Sequence, residues 1–172
     1  GKRAAVVTIS LRHVAEMACN PSIGGLAKGQ LVREIDALGG EMARAIDDTG
    51  IQFRMLNTGK GQAVRSPRAQ ADKGAYHRRM LRALSDSRNL TLIEGRVEHI
   101  EARDGRVKAV GLTSRSRIST CAVVLTSGTF LCGKLFVGLR SWSGGRTGEP
   151  AARRLSESLR ALGLPTARLK TG

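Results

Sequence analysis

Cys19-Asn-Pro-Ser-Ile-Gly-Gly-Leu-Ala-Lys-Gly29 is a glycine-rich loop between an apolar, β-branched run, Ala4-Ala-Val-Val-Thr-Ile-Ser10, and a long amphipathic stretch. The order strand, glycine loop, helix lets backbone N–H groups approach a phosphate or a planar ring. The loop does not fit the phosphate-loop pattern: Gly24 and Gly29 have the right separation, but Gln30 stands where a lysine should follow. It does not contain G-x-G-x-x-G either. Spacing alone leaves two readings of Gly24 and Gly25, a ligand cradle or a structural turn. Cys19 has the same ambiguity. Lys28 and Arg33 are close in sequence and would favour a thiolate, yet a free cysteine is commonly a small core residue.

Working outward, Leu31, Ile35, Leu38, Met42 and Ile46 recur at helical spacing and predict one amphipathic helix closing near Gly50. Ser66-Pro67, followed by Ala69, Tyr76, Met80 and Leu84, predicts a second helix with Ser66 as N-cap. Asn89 to Glu94 reads as a strand. From Val97 onward several short strands, punctuated by Asp104-Gly105 and the polar run Thr113 to Arg117, predict a β-meander. Ala122-Val-Val-Leu125 reads as a buried strand running into Thr126-Ser-Gly-Thr129, the kind of strand end that forms a ligand crevice in open α/β sheets. A last helix runs from about Pro150 to Leu162, with Leu155, Leu159 and Leu162 on one face and Gly163 closing it.

The 172 residues suffice for a large domain with a true core, and 41% hydrophobic with 25% charged residues is ordinary globular usage. The charge is not ordinary. A net +15, carried by 22 arginines and 7 lysines, favours a phosphorylated or nucleic-acid partner, because the guanidinium fork suits phosphate oxygens. The excess is local: residues 50–90 hold nine basic and two acidic side chains, and residues 105–154 nine and one. One candidate nucleic-acid face is the helix side bearing Arg78, Arg79 and Arg82; the alternative is a solvated face. Three cysteines without a Cys-x-x-Cys pair argue against a disulfide framework or structural zinc. Cys121, opening a β-branched strand, reads as core. His13, His77 and His99 lack metal-ligand spacing, so no metal is expected. No apolar stretch is long enough to span a membrane, and a cytoplasmic protein is expected.

Several phrases, in order, bear a family resemblance: Cys19-Asn-Pro-Ser-Ile-Gly-Gly25, Lys28-Gly-Gln-Leu-Val-Arg-Glu-Ile-Asp-Ala-Leu-Gly-Gly40, Gly50-Ile-Gln-Phe-Arg-Met-Leu-Asn57, Arg68-Ala-Gln-Ala-Asp72, Gly128-Thr-Phe-Leu131, Ser143-Gly-Gly-Arg146 and Ala167-Arg-Leu-Lys-Thr-Gly172. Across essentially its whole length the chain resembles the MnmG (GidA) family, flavoproteins of tRNA wobble-uridine modification. The resemblance implies an α/β fold, a partial FAD-binding domain of glutathione-reductase type over residues 1–172. It would combine a parallel sheet and helices with a small antiparallel meander at about 97–120. It implies an enzyme that works with the GTPase MnmE to place a carboxymethylaminomethyl or aminomethyl group on carbon 5 of the wobble uridine, using FAD, NADH and methylenetetrahydrofolate, as a homodimer within a heterotetramer. By the same resemblance Cys19 is the proposed catalytic thiol, Val97 contacts FAD, and Gly128 and Thr129 lie close to the flavin, with Gly24 and Gly25 in the cofactor loop.

The resemblance has departures. Family members open with a strand and a G-x-G-x-x-G turn that would precede Gly1, and they continue beyond Gly172, so an internal fragment is expected. Ala152 stands where a FAD-contacting serine is common, and Gly59 and Gln62 replace commoner serine and proline. Two other readings stay open, a basic non-catalytic RNA-binding module and a flavin oxidoreductase acting on a small substrate.

Overall fold

A computed structural model describes residues 2–17 and 20–169. The chain divides into two compact units, Gly1–Ile93 and Glu94–Gly172. The elements of the first are β1 (Ala4–Thr8), β2 (Ser22–Gly24), α1 (Lys28–Ala37), α2 (Glu41–Thr49), β3 (Gly50–Leu56), β4 (Ser66–Ala71), α3 (Lys73–Ser85) and β5 (Leu90–Glu94), whose last residue crosses the boundary. β1 pairs with β5. The bond from the Ala4 N–H to the Asn89 carbonyl, 2.9 Å, joins the N-terminal ends of the two strands, so they run parallel. A parallel pair needs a crossover, and everything from β2 to α3 lies within it.

Inside the crossover β2, β4 and β3 form an antiparallel sheet with β4 in the centre. One face of this sheet carries Ala69 and Ala71, which pack with Ile23, Val32, Ala45, Ile46 and Tyr76 into the core of the unit. Small residues on the central strand let the helices approach it closely.

Two expectations are corrected here. Ser66-Pro67 opens a central strand, not a helix; α3 begins at Lys73, capped by Asp72, whose carboxylate accepts the Ala75 N–H at 2.7 Å. Pro67 is tolerated because it lies one residue beyond the part of β4 that β2 covers, where its missing N–H leaves no gap in that ladder. The long helix is two helices. Gly39, at φ +83°, and Gly40 turn the chain, their N–H groups donating to Asp36 and Ile35 carbonyls at 2.8 and 2.9 Å. A Cβ on Gly40 would come within 2.2 Å of Ile35 Cγ2. The break rotates the buried face. Val32 and Ile46 are buried, whereas Leu31 and Ile35 are exposed and Leu38 is 90% exposed.

The second unit contains β6 (Val97–Arg103), β7 (Arg106–Leu112), β8 (Arg117–Ser119), β9 (Lys134–Val137), β10 (Arg140–Ser143) and α4 (Arg153–Ala161). β6, β7 and β8 form the antiparallel meander. Asp104 and Gly105, at φ +53° and +70°, make the two-residue turn between β6 and β7. Ala109, Val110 and Leu112 are buried on β7, and Leu155 and Leu159 on α4. The Ser158 hydroxyl accepts the Ile100 N–H at 2.9 Å, fixing α4 to β6. Gly163, at φ +79°, closes α4 as the sequence predicts.

The run Ala122–Leu125 is corrected: it is not a strand, and Val124 is 84% exposed. β-branched residues favour an extended backbone, but a strand also needs a neighbour for its N–H and C=O groups, and among the described residues none lies beside this run. Cys121, at its start, is exposed and not core. The architecture is α/β, with parallel strands, helices and a small antiparallel meander.

Candidate functional site

In the first unit the glycine loop is sewn to β4. Its Gly25 N–H donates to the Pro67 carbonyl at 2.8 Å, and the Gly25 carbonyl accepts both the Ser66 hydroxyl and, at 2.8 Å, the Gly29 N–H. Gly24, at φ +114°, lies so close to β4 that a Cβ there would stand 2.1 Å from the Pro67 oxygen. The Ala71 N–H donates to the Pro21 carbonyl at 2.6 Å, extending the seam. Gly24 and the polar groups of Gly25 thus hold the loop in place, and of the loop's three glycines Gly25 alone has room for a Cβ. Cys19 lies outside the described residues. The Lys28 ammonium reaches the Ser22 carbonyl at 3.5 Å.

The second unit shows the opposite arrangement. Gly128, at φ +51°, sits on an exposed corner where a Cβ would meet nothing within 4 Å. Gly128 and Thr129 are exposed, and among the described residues their N–H groups donate to no backbone carbonyl. The corner itself is braced. The Phe130 N–H donates to the Ser127 carbonyl at 3.0 Å, the Thr129 hydroxyl to the Gly145 carbonyl at 2.8 Å, and the Phe130 ring lies against Gly145. The Arg146 guanidinium stands 5.8 Å from the centre of that ring and is clamped to Glu149 at 2.7 and 3.0 Å. Val97 is half-buried at the start of β6, opposite Leu112.

The three arginines of α3 do not form one equivalent row. Arg78 and Arg82 are exposed, whereas Arg79 bridges to Asp48 at 2.6 Å and Glu41 at 3.1 Å on α2. The hydrogen bond to Asp48 raises the Arg79 pKa above its already high value, with a smaller contribution from Glu41. Glu98 on β6 is held below its ordinary carboxylate range, first by the Arg154 guanidinium at 2.6 Å and then by Arg96. His77 Nδ1 lies 2.6 Å from the Val14 carbonyl, a structural contact. Among the described residues no three of His, Cys, Asp and Glu gather into a metal-ligand set, and no helix is long and apolar enough to cross a membrane.

Sequence spacing misses a third arrangement. Arg54 of β3 and Arg68 of β4 are direct cross-strand partners, as are Gln52 and Gln70. The register of two strands creates this juxtaposition, and only the alternation of Gln52, Arg54 and Leu56 along β3 hints at it.

The whole chain, residues 1–172, matches the family model described as Glucose inhibited division protein A. It is 53% identical over 173 residues to the tRNA uridine 5-carboxymethylaminomethyl modification enzyme MnmG of Chlorobium phaeovibrioides, a match covering 100% of this chain and 28% of the relative. The like-named enzyme of Pelobacter propionicus is 54% identical over 172 residues, with 100% and 27% covered. Among solved structures, GidA of Aquifex aeolicus superposes with a TM-score of 0.84 at 47% identity, over 91% of this chain and 26% of that one. The GidA-related protein of Thermus thermophilus shares the fold at a TM-score of 0.63 and 23% identity, over 94% of this chain and 58% of that one. The chain spans little more than a quarter of the length of the curated relatives it matches.

Proposed function

Because this chain belongs to the glucose inhibited division protein A family, whose model spans all 172 residues, we propose that it forms part of an FAD-dependent enzyme that modifies the wobble uridine of tRNA. The proposed reaction places an aminomethyl or carboxymethylaminomethyl group on carbon 5, with the GTPase MnmE as partner, in the cytoplasm and from a homodimer within a heterotetramer. The methylene carbon comes from methylenetetrahydrofolate, the nitrogen from an amine (ammonium for the first group, glycine for the second) and reducing equivalents from NADH. The observation that carries the reading is 53% identity, over the full chain, to a relative named for that modification.

The residues present fit FAD at one corner. Gly128 and Thr129 offer N–H donors above open space that a side chain at Gly128 would fill. Such donors suit an acceptor atom of a flavin or its phosphates. Val97, half-buried at the start of β6, is the apolar contact that the family resemblance implies. Gly24 and Gly25 contribute by fixing their own loop to β4. When bound, FAD supplies two-electron redox chemistry. Cys19 acts as the nucleophilic thiol, reactive as its thiolate, and the exposed Arg78 and Arg82, with Arg79 beside them, offer phosphate contacts that position tRNA without reading its bases.

The test uses the purified full-length protein: its flavin absorbance is recorded, then unmodified tRNA is incubated with it, NADH, methylenetetrahydrofolate, MnmE, GTP and an amine donor, glycine or ammonium in parallel, and the nucleosides are analysed by mass spectrometry. Bound flavin and a modified wobble uridine are expected. Flavin without modified uridine would replace the reading with a small-substrate oxidoreductase, and tRNA binding without flavin with an RNA-binding module.

A further inference from the structure

We infer that the outer face of the β2–β4–β3 sheet binds a phosphate oxyanion between Arg54 and Arg68. Gly24, Arg68 and Arg54 form one row across the three strands, and Ser22, Gln70 and Gln52 the next. Directly paired residues share a sheet face, as do residues two apart along a strand, so the two arginines and two glutamines converge on one side. They line, with Leu56, a cavity of about 170 Å³. The other face carries Ala69 and Ala71 into the core, which makes the platform rigid.

The charge in this cavity is unbalanced. Like charges directly opposite each other on neighbouring strands are destabilising, yet no acidic residue lines the cavity. Among the described residues neither Arg54 nor Arg68 has an ion pair, whereas Arg79, Arg96, Arg117, Arg146 and Arg154 each engage a carboxylate. An anion from outside the chain would supply the missing countercharge. Two guanidinium forks and two amides present more donors than the roughly four lone-pair sites of one carboxylate can use. A tetrahedral phosphoryl group, which accepts from both sides, matches them better. That phosphate is either a polynucleotide phosphodiester or the phosphate of a small nucleotide, and the chemistry of recognition is the same. The inference does not rest on the uridine-modification reading, since the phosphate readout below needs neither flavin nor uridine chemistry.

The test compares the full-length parent with Arg54→Gln, Arg68→Gln and the double variant. In chloride buffer the variants should melt no lower than the parent, because removing one of two opposed charges relieves repulsion. At constant ionic strength, inorganic phosphate should raise the parent's melting temperature. Phosphate affinity should fall roughly tenfold for each arginine lost, the size expected of a charge-assisted hydrogen bond. A roughly tenfold weaker tRNA affinity with a shallower salt slope and unchanged FAD content identifies the polynucleotide source. Lower FAD content or weaker NADH binding with unchanged tRNA affinity identifies the small nucleotide. An identical phosphate response in parent and double variant overturns the inference, and so does a double variant that melts below the parent in chloride.

Discussion

Gly24-Gly25 and Gly128-Thr129 look alike in sequence and do opposite things in the fold. Gly24 is pressed against Pro67 and Arg68, and the Gly25 N–H and carbonyl are both taken by β4 and the start of α1. The Gly128 corner also has a positive φ, but it faces open space, and among the described residues its N–H groups donate to no backbone carbonyl. Gly24 needs glycine because another strand occupies the room of a Cβ, whereas at Gly128 only the positive φ favours it. A glycine turn becomes a candidate cradle when its amides are left over after folding, and the neighbouring strand decides that.

The sharpest way to break this contrast is to add one methyl group at each corner. Gly24→Ala places a Cβ 2.1 Å from a backbone oxygen at φ +114°, where neither backbone can yield. A loss of about 3 kcal/mol or more is expected in denaturant unfolding. A variant within about 0.5 kcal/mol of the parent would mean that the loop is not sewn to β4. Gly128→Ala has no clash, only the left-handed penalty of about 1 kcal/mol. Its larger effect should be on retained flavin, measured by absorbance after gel filtration; unchanged flavin content would remove this corner from the cofactor site.

Asp72→Ala sharpens the boundary between β4 and α3. It deletes the acceptor of the Ala75 N–H and should cost about 1 kcal/mol. If Ser66 were the cap of a longer helix, the substitution would have almost no effect. The smallest expected effect is electrostatic. Glu98 has a folded pKa below its ordinary value near 4.5. Its pairing therefore stabilises the second unit above that value, and the stabilisation is lost as pH falls through the lower folded value. Melting temperatures measured from pH 6 down to pH 3 should fall less steeply in Arg154→Ala than in the parent. Parallel profiles would show that this pairing contributes nothing.

What the sequence made legible was local. Asp104-Gly105 makes its turn within two residues, and Gly163 ends α4 within one, so spacing suffices for both. The helix over Leu31 to Ile46 failed because Gly39-Gly40 was outweighed by a periodicity that continues across it by coincidence. Ser66-Pro67 misled for a different reason, since serine followed by proline opens helices and strands alike, and pairing with residues 22–24 and 50–56 decided for a strand. Ala122–Leu125 was read as a strand from propensity, which does not provide a partner. The Cys19 loop and the Gly128 corner were both recognisable as candidates, but which glycines keep free donors depends on contacts with distant segments. The Arg54–Arg68 pairing was invisible for the same reason.

The central proposal, that Cys19 is the reactive thiol of a wobble-uridine modifying flavoenzyme, is tested most directly by nucleoside mass spectrometry of tRNA treated with the full-length parent and its Cys19→Ser variant under the same complete reaction conditions. The account predicts a modified wobble uridine with the parent and none with the variant, while both retain the same flavin, because losing a nucleophile strikes the chemistry and not ground-state binding. Modification by the serine variant at the parental rate would contradict it.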